Sequence, residues 1–137
     1  MYVEVKILLD SNAYSHLKRG DYKVAALVRR ASSILLPHVV IGELLYGFRN
    51  GTKFERNRDE LRAFLENQYV TIPWLSFTTA DRYSRIAAGL RAKGLPIPTN
   101  DIWIAAYTME SGADLVSYDK HFARIDGLVW THLISAG

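Results

Sequence analysis

Apolar and polar positions along the chain alternate in two rhythms. Val3, Val5, Ile7 and Leu9 alternate with Glu4 and Lys6, and Leu8 breaks the alternation just before Asp10. That pattern predicts a strand that becomes buried on both faces, as in a parallel sheet. Ser11 and Asn12 are helix-capping residue types, and the segment they open runs to Arg19 before Gly20 stops it. Asp21 opens a second helix to about Ala31, and 34–36 with Pro37 reads as a short strand. Ile41, Leu44, Leu45 and Phe48 then fall at i, i+3, i+4 and i+7, the stripe of a helix ended by Asn50 and Gly51. A more polar helix is predicted over 52–68, with Phe54, Leu61, Phe64 and Leu65 on one side, followed by a strand over 70–72 closed by Pro73. Tyr83, Ile86, Ala87 and Leu90 repeat the helical stripe between a start at Thr79 or Asp81 and a stop at Gly94. After a proline-containing loop over 95–100, Asn100 is expected to cap a helix whose stripe is Ile102, Ala105, Ala106 and Met109, ending at Gly112. Strands over 115–117 and 129–131 complete the pattern. Strands separated by helices imply βαβ units, hence an α/β fold with a mostly parallel central β-sheet flanked by α-helices on both faces.

Length and composition narrow this picture. The 137 residues amount to about one domain at ~150 residues each, and no repeat, linker or low-complexity tract divides them, so 1–137 is expected to form a single domain. With 49% apolar residues the chain has enough to build a core unaided. Zero cysteines exclude disulfides and thiolate metal sites, and fit a reducing compartment, with the cytoplasm as the expected location. Glu4 and Lys6 interrupt the first apolar residues, so no secretory leader is expected, and the nearly uncharged run 34–48 is too short for a membrane span. Lys and Arg total 17 against 14 Asp and Glu, a net +3 that tolerates an anionic partner without demanding one.

The acids carry more information than the net charge. Ligands of parallel sheets bind beyond the carboxyl ends of the strands. Asp10 ends the first strand and Asp119 follows Ser117 at the end of another, while Asp101 opens a helix and Glu43 lies in the helix after the second strand. Glu43 sits in a helix that reads as apolar all round, and Arg49 at i+6 is poorly placed to pair with it. A buried carboxylate costs several kcal/mol unless it is paired or ligates a cation. If the four acids converge, repulsion raises their pKa values unless a cation fills the gap. Oxygen ligands select hard cations such as Mg²⁺ or Mn²⁺, which suit phosphodiester chemistry. Zinc is disfavoured, because His16, His38, His121 and His132 lack the close spacing of a zinc site. Taken singly, each acid also has an ordinary explanation: a turn acid for Asp10, a helix-dipole partner for Asp101, a turn pair with Lys120 for Asp119, a distant arginine partner for Glu43.

Four blocks taken in order carry a resemblance. Leu8-Leu9-Asp10-Ser11-Asn12, Ile41-Gly42-Glu43-Leu44-Leu45-Tyr46-Gly47, Pro98-Thr99-Asn100-Asp101-Ile102-Trp103-Ile104-Ala105-Ala106 and Ser117-Tyr118-Asp119-Lys120-His121-Phe122 resemble the motifs of the PIN-domain family, and within it the VapC-type toxin ribonucleases of toxin–antitoxin pairs. The resemblance spans essentially the whole chain. It implies an Mg²⁺- or Mn²⁺-dependent endoribonuclease in which Asp10, Glu43, Asp101 and Asp119 are the catalytic, metal-binding acids. Asn12 and Ser117 would orient those carboxylates. A metal-activated water would cleave single-stranded RNA, tRNA or rRNA being options, and leave a 5′-phosphate. It further implies a homodimer and a small VapB-like antitoxin whose tail enters the acidic groove, with no membrane involved. Ser117 stands where the family usually has Thr, which keeps the hydroxyl. His121 stands where some members carry a further acid; it would be a reasonable contact for the phosphate backbone, and reads first as a surface-loop histidine.

Lys18, Arg19 and Lys23, in a stretch with Arg29 and Arg30 opposed only by Asp21, are the candidate RNA contacts, a solvated helix face being the alternative. The cluster Arg49, Lys53, Arg56, Arg58 and Arg62 is interleaved with Glu55, Asp59 and Glu60 and reads as a solvated helix face. Tyr14, Tyr46 and Trp103 are candidates for stacking on bases, with a core role the stronger reading for Tyr46. Phe54, Phe64, Tyr69 and Trp74 are candidate antitoxin or dimer contacts. Phosphoaspartyl chemistry at Asp10 is opposed by Asn12, which stands where a second aspartate is normally required. The remaining alternatives are a housekeeping PIN nuclease without an antitoxin and a catalytically silent module that binds RNA or protein; retention of all four acids argues against the silent one.

Overall fold

The structure is a computed structural model, and it describes residues 4–134. Its centre is a sheet of five strands: β1 (Lys6–Leu9), β2 (Ser33–Leu35), β3 (Val70–Thr71), β4 (Asp114–Ser117) and β5 (Trp130–His132). All neighbours run parallel, in the order β3-β2-β1-β4-β5. Ile7 pairs with Ile34 on one side and with Asp114 on the other, which fixes β1 as the middle strand. Consecutive residues Ile7, Leu8 and Leu9, like Leu115 and Val116, are buried, as strands covered on both faces require. Val3, expected to begin the first strand, lies outside the described residues, and pairing starts at Lys6.

Six α-helices connect these strands: α1 (Ser11–Lys18) and α2 (Tyr22–Arg30) between β1 and β2, α3 (His38–Arg49) and α4 (Phe54–Leu65) between β2 and β3, α5 (Phe77–Lys93) and α6 (Thr99–Ser111) between β3 and β4. A short 3-10 helix, Lys120–Arg124, sits between β4 and β5 and was not expected from the pattern. Gly94 and Gly112 end α5 and α6 in the left-handed region, at φ 67° and 65°, a conformation that glycine adopts without a Cβ penalty. In α6, Ile102, Ile104, Ala105, Ala106, Tyr107 and Thr108 are all buried, so this helix is enclosed on more sides than its stripe implied.

Three helix starts differ from expectation, two of them because another side chain satisfies the orphan N–H groups. Asp10, not Ser11 or Asn12, caps α1, its Oδ1 accepting from the Ala13 N–H at 2.8 Å. Helix α5 begins at Phe77, ahead of Thr79 and Asp81, because Ser76 and Thr79 form a reciprocal capping box. Helix α6 begins at Thr99 behind Pro98 with no side-chain cap, which leaves the Asn100 amide free for another contact.

Helix α3 is not apolar-enclosed all round: Tyr46 is 69% exposed and Gly42 and Gly47 are also exposed, so the core role expected for Tyr46 does not hold. Tyr14 is reversed in the same way, being 2% exposed in the core with its ring edge-on to Phe64, and so cannot stack on a base. Among the described residues no helix is long and apolar enough to cross a membrane.

Candidate active site

Chain connections from β1 proceed first to one side of the sheet, through β2 to β3, and only then cross to β4 and β5 on the other. Helices leaving β1 and β4 therefore diverge at their carboxyl ends, opening a crevice at the switch point. Asp10, immediately after β1, and Ser117 and Asp119, at and beyond the end of β4, border that crevice. Asp101 enters from the first turn of α6 and Glu43 from α3.

Asp10 is 5% exposed and both its oxygens are engaged. Oδ1 caps α1 at Ala13, and Oδ2 accepts from the Ser117 hydroxyl at 2.5 Å. Ser117, fully buried, accepts in turn from the Asp119 backbone N–H at 2.9 Å, so one hydroxyl ties the ends of β1 and β4 together. Burial pushes the Asp10 carboxyl up to about 6. Ser117 and the Ala13 N–H pull it back, and the charges of Asp101 and Asp119 add to the rise.

The helical side is held more loosely. Asn100 donates from Nδ2 to Glu43 Oε2 at 3.4 Å, a long bond, and Glu43 Oε1 is buried with no hydrogen-bond partner. Burial raises the Glu43 carboxyl, with Asp101 adding to the rise, while Asn100 and Ser11 pull the other way. Asp101 is likewise raised, chiefly by burial and also by Asp119, with His121 opposing. Asp101, Asp119 and His121 each offer one donor atom, all within 4.8 Å of one another. Burial thus disfavours the charge of Asp10, Glu43 and Asp101, and the crevice offers the oxygen donors that suit a hard divalent cation.

The other sequence candidates fall in different places. Asn12 is exposed in the first turn of α1 and makes no hydrogen bond to the four carboxylates; Ser11 and Asn100 are the polar neighbours of Glu43 instead. Lys18 and Arg19 stand at the far end of α1 from Asp10, about 12 Å of helix at 1.5 Å per residue, and Lys23 lies in the first turn of α2. Arg19 and Lys23 line a surface cavity of about 380 Å³ with His16, Asp21, Tyr22 and Tyr118, the last standing between Ser117 and Asp119 in the chain. Lys18 instead holds its amine over the rings of Tyr14 and Phe64. Trp103 is stacked on Tyr83 with ring centres 4.1 Å apart. Arg56 and Arg58 pair with Glu60 and Asp59 on the surface of α4.

What sequence reasoning missed is the place of His121 between two carboxylates. Rather than a surface-loop histidine, it is half-buried, with Nε2 2.6 Å from Asp101 Oδ2 and Nδ1 2.8 Å from Asp119 Oδ1. The signals for it were its position two residues after Asp119, beside a Phe122 that is buried, and its place where some family members carry a further acid.

Comparison with known proteins agrees with this architecture. The family model of the PIN domain matches residues 7–128. Ribonuclease VapC2 of Rickettsia felis is 32% identical over 127 residues, covering 89% of this chain and 93% of the relative. The crystal structure of VapBC2 from Rickettsia felis, bound to a DNA fragment from their promoter, superposes with a TM-score of 0.81 at 27% identity, covering 94% of this chain and 99% of that one. VapBC-1 from nontypeable Haemophilus influenzae shares the fold with a TM-score of 0.83 at 24% identity over 93% of this chain and 98% of its own. Sheet order, crevice and family match lead to one conclusion: the chain belongs to the PIN-domain family, among its VapC ribonucleases.

Proposed function

We propose that the chain is the toxin of a toxin–antitoxin pair, a metal-dependent endoribonuclease formed by 1–137 as one PIN-like domain and working in the cytoplasm. The observation that carries this reading is the convergence of Asp10, Glu43, Asp101 and Asp119 on the crevice, with Glu43 Oε1 buried and unpartnered. Those four acids would hold Mg²⁺ or Mn²⁺, and the raised carboxyls of Asp10, Glu43 and Asp101 and the orphaned Glu43 oxygen fit a cation. When bound, the cation supplies the positive charge that acidifies a water for in-line attack and offsets charge on the phosphate oxygens.

The chain's own residues set the geometry. Asp10, capped at Ala13 and tied to Ser117, presents its carboxylate rigidly from the end of β1. Ser117 couples that carboxylate to the backbone of Asp119. Asn100 restrains Glu43 beside Asp101. A crevice between strand ends and helix starts accepts an unpaired strand, so single-stranded RNA is the substrate class. Arg19 and Lys23 border the cavity beside Tyr118 and contact the RNA backbone there, and Lys18 contributes charge from the end of α1.

A small VapB-like antitoxin is the partner, as the assembly of the VapBC relatives supports. The acidic crevice suits a basic side chain of such a partner. The exposed Trp74, Leu75 and Phe77 offer an apolar surface to the antitoxin or to the second copy of a homodimer.

The test is cleavage of single-stranded RNA by the purified chain, freed of antitoxin, with Mg²⁺ or Mn²⁺ added. Cleavage should stop with chelator and be abolished by Asp10→Ala and by Asp101→Ala. Cleavage by these variants at the wild-type rate would overturn the site assignment. Expression of the chain alone should arrest growth, and Asp101→Asn should relieve the arrest.

A further inference from the structure

His121 stands between two carboxylates brought by different elements, Asp101 from α6 and Asp119 from the end of β4. Its position is set by more than those contacts. The His121 N–H donates to Asp119 Oδ1 at 3.1 Å, and its ring packs against buried Phe122 at 5.1 Å between centres. A neutral imidazole carries one N–H, which satisfies one carboxylate. The other ring nitrogen then turns a lone pair toward a carboxylate oxygen, a contact that either a second ring proton or a cation shared by the two atoms makes favourable. The donor atoms of Asp101, Asp119 and His121 lie within 4.8 Å of one another, so one ion reaches all three with little adjustment.

We propose that His121 is itself a ligand of the divalent cation, through one ring nitrogen, while its other nitrogen donates an N–H to a neighbouring carboxylate. A histidine held by a carboxylate in this way is oriented and made more basic as a ligand. The donor set becomes mixed nitrogen and oxygen, which favours Mn²⁺ over Mg²⁺ more strongly than carboxylates alone. His121 therefore sets metal preference. The inference rests on the reading of the four acids as a metal site.

Nitrogen ligation can be read without any turnover. Mn²⁺ is added to the purified full-length chain, and ¹⁴N coupling is sought by pulsed electron paramagnetic resonance. His16 is stacked on Tyr118 and paired with Asp21, His132 meets the Tyr118 carbonyl, and His38 is exposed at the start of α3, so none competes for the assignment. The expected result is a ¹⁴N signal in the wild type that disappears in His121→Gln, with Mn²⁺ affinity falling about tenfold or more and Mg²⁺ affinity, measured by competition, falling less than about threefold. Mn²⁺ bound with no ¹⁴N coupling in the wild type would overturn the role of His121 and leave the four-acid reading standing. No Mn²⁺ bound by the wild type at all would overturn both. Because the wild-type spectrum alone decides the ligand, a poorly folded variant does not shelter the proposal.

Discussion

The two walls of the crevice are built on different principles. On the strand side, folding itself places the groups: β1 and β4 are paired in register, Asp10 caps the helix that follows, and Ser117 bonds to both Asp10 and Asp119. On the helical side, Glu43 and Asp101 come from helices 57 residues apart at their contact through Asn100, joined by one bond of 3.4 Å, and Glu43 keeps an unpartnered buried oxygen. The strand wall is preorganised at the cost of burying a carboxylate, whereas the helical wall is left incompletely satisfied and a cation has something to complete. Catalytic groups are most effective when held before the reaction begins, so removing strand-side groups should hurt activity more than removing helical-side polar groups.

The largest expected effect is at Asp10. Asp10→Asn keeps a capping oxygen but removes the charge, so cleavage should fall on the order of 10³-fold. Stability in chelator should move the opposite way. The unfolded chain titrates this carboxyl near the ordinary 3.8 and the folded chain near about 6. Between those values the folded state binds more protons, so stability falls as pH rises through this window and stays lower above it. At neutral pH, by this linkage, Asp10→Asn should gain on the order of 3 kcal/mol, with the advantage vanishing below about pH 4. Urea melts of both proteins across pH 3–8 in chelator measure the difference. An unchanged difference across that range would mean that burial does not penalise the Asp10 charge.

A smaller effect separates cation from scaffold. At Mn²⁺ a hundredfold above its dissociation constant, the folded chain should gain about 2.7 kcal/mol, read as a rise in Tm of a few degrees that is much reduced in Asp101→Asn. An equal rise in that variant would place the ion away from the crevice.

These walls were not equally legible in the sequence. Strand-side acids announced themselves because Asp10 and Asp119 follow short apolar runs, and the position of a strand end is a local property. Glu43 stood out because its helix lacks a charged partner at i+3 or i+4. The reversal of Tyr14 and Tyr46 shows the limit: both lie on helices with apolar neighbours, and which side meets the core depends on how each helix is laid against the sheet. His121 was hidden for a related reason. Its contact with Asp101 spans 20 residues and two elements, so no spacing rule marks it. The cap at Ser76 is visible once the Ser–Thr pair at i and i+3 is read as a box, but the stripe of α5 starts later and drew the boundary inward.

Ser117 and Asn100 give the sharpest comparison of the two walls, because each is a single polar group holding a carboxylate. Ser117→Ala removes a buried 2.5 Å bond to Asp10 and the acceptor for the Asp119 N–H, leaving two partners unsatisfied. Cleavage should drop about tenfold or more, and Ser117→Thr, which keeps the hydroxyl, should restore most of it. Asn100→Ala removes one exposed 3.4 Å bond, long by hydrogen-bond standards, whose loss water can compensate. A fall of about two- to threefold is expected there, since an exposed bond of that length contributes at most roughly 0.5 kcal/mol. Initial rates at saturating Mn²⁺ decide the matter. If Asn100→Ala proves the more damaging of the two, the helical wall is positioned by that amide, and the incomplete satisfaction of Glu43 is not what prepares the crevice for its cation.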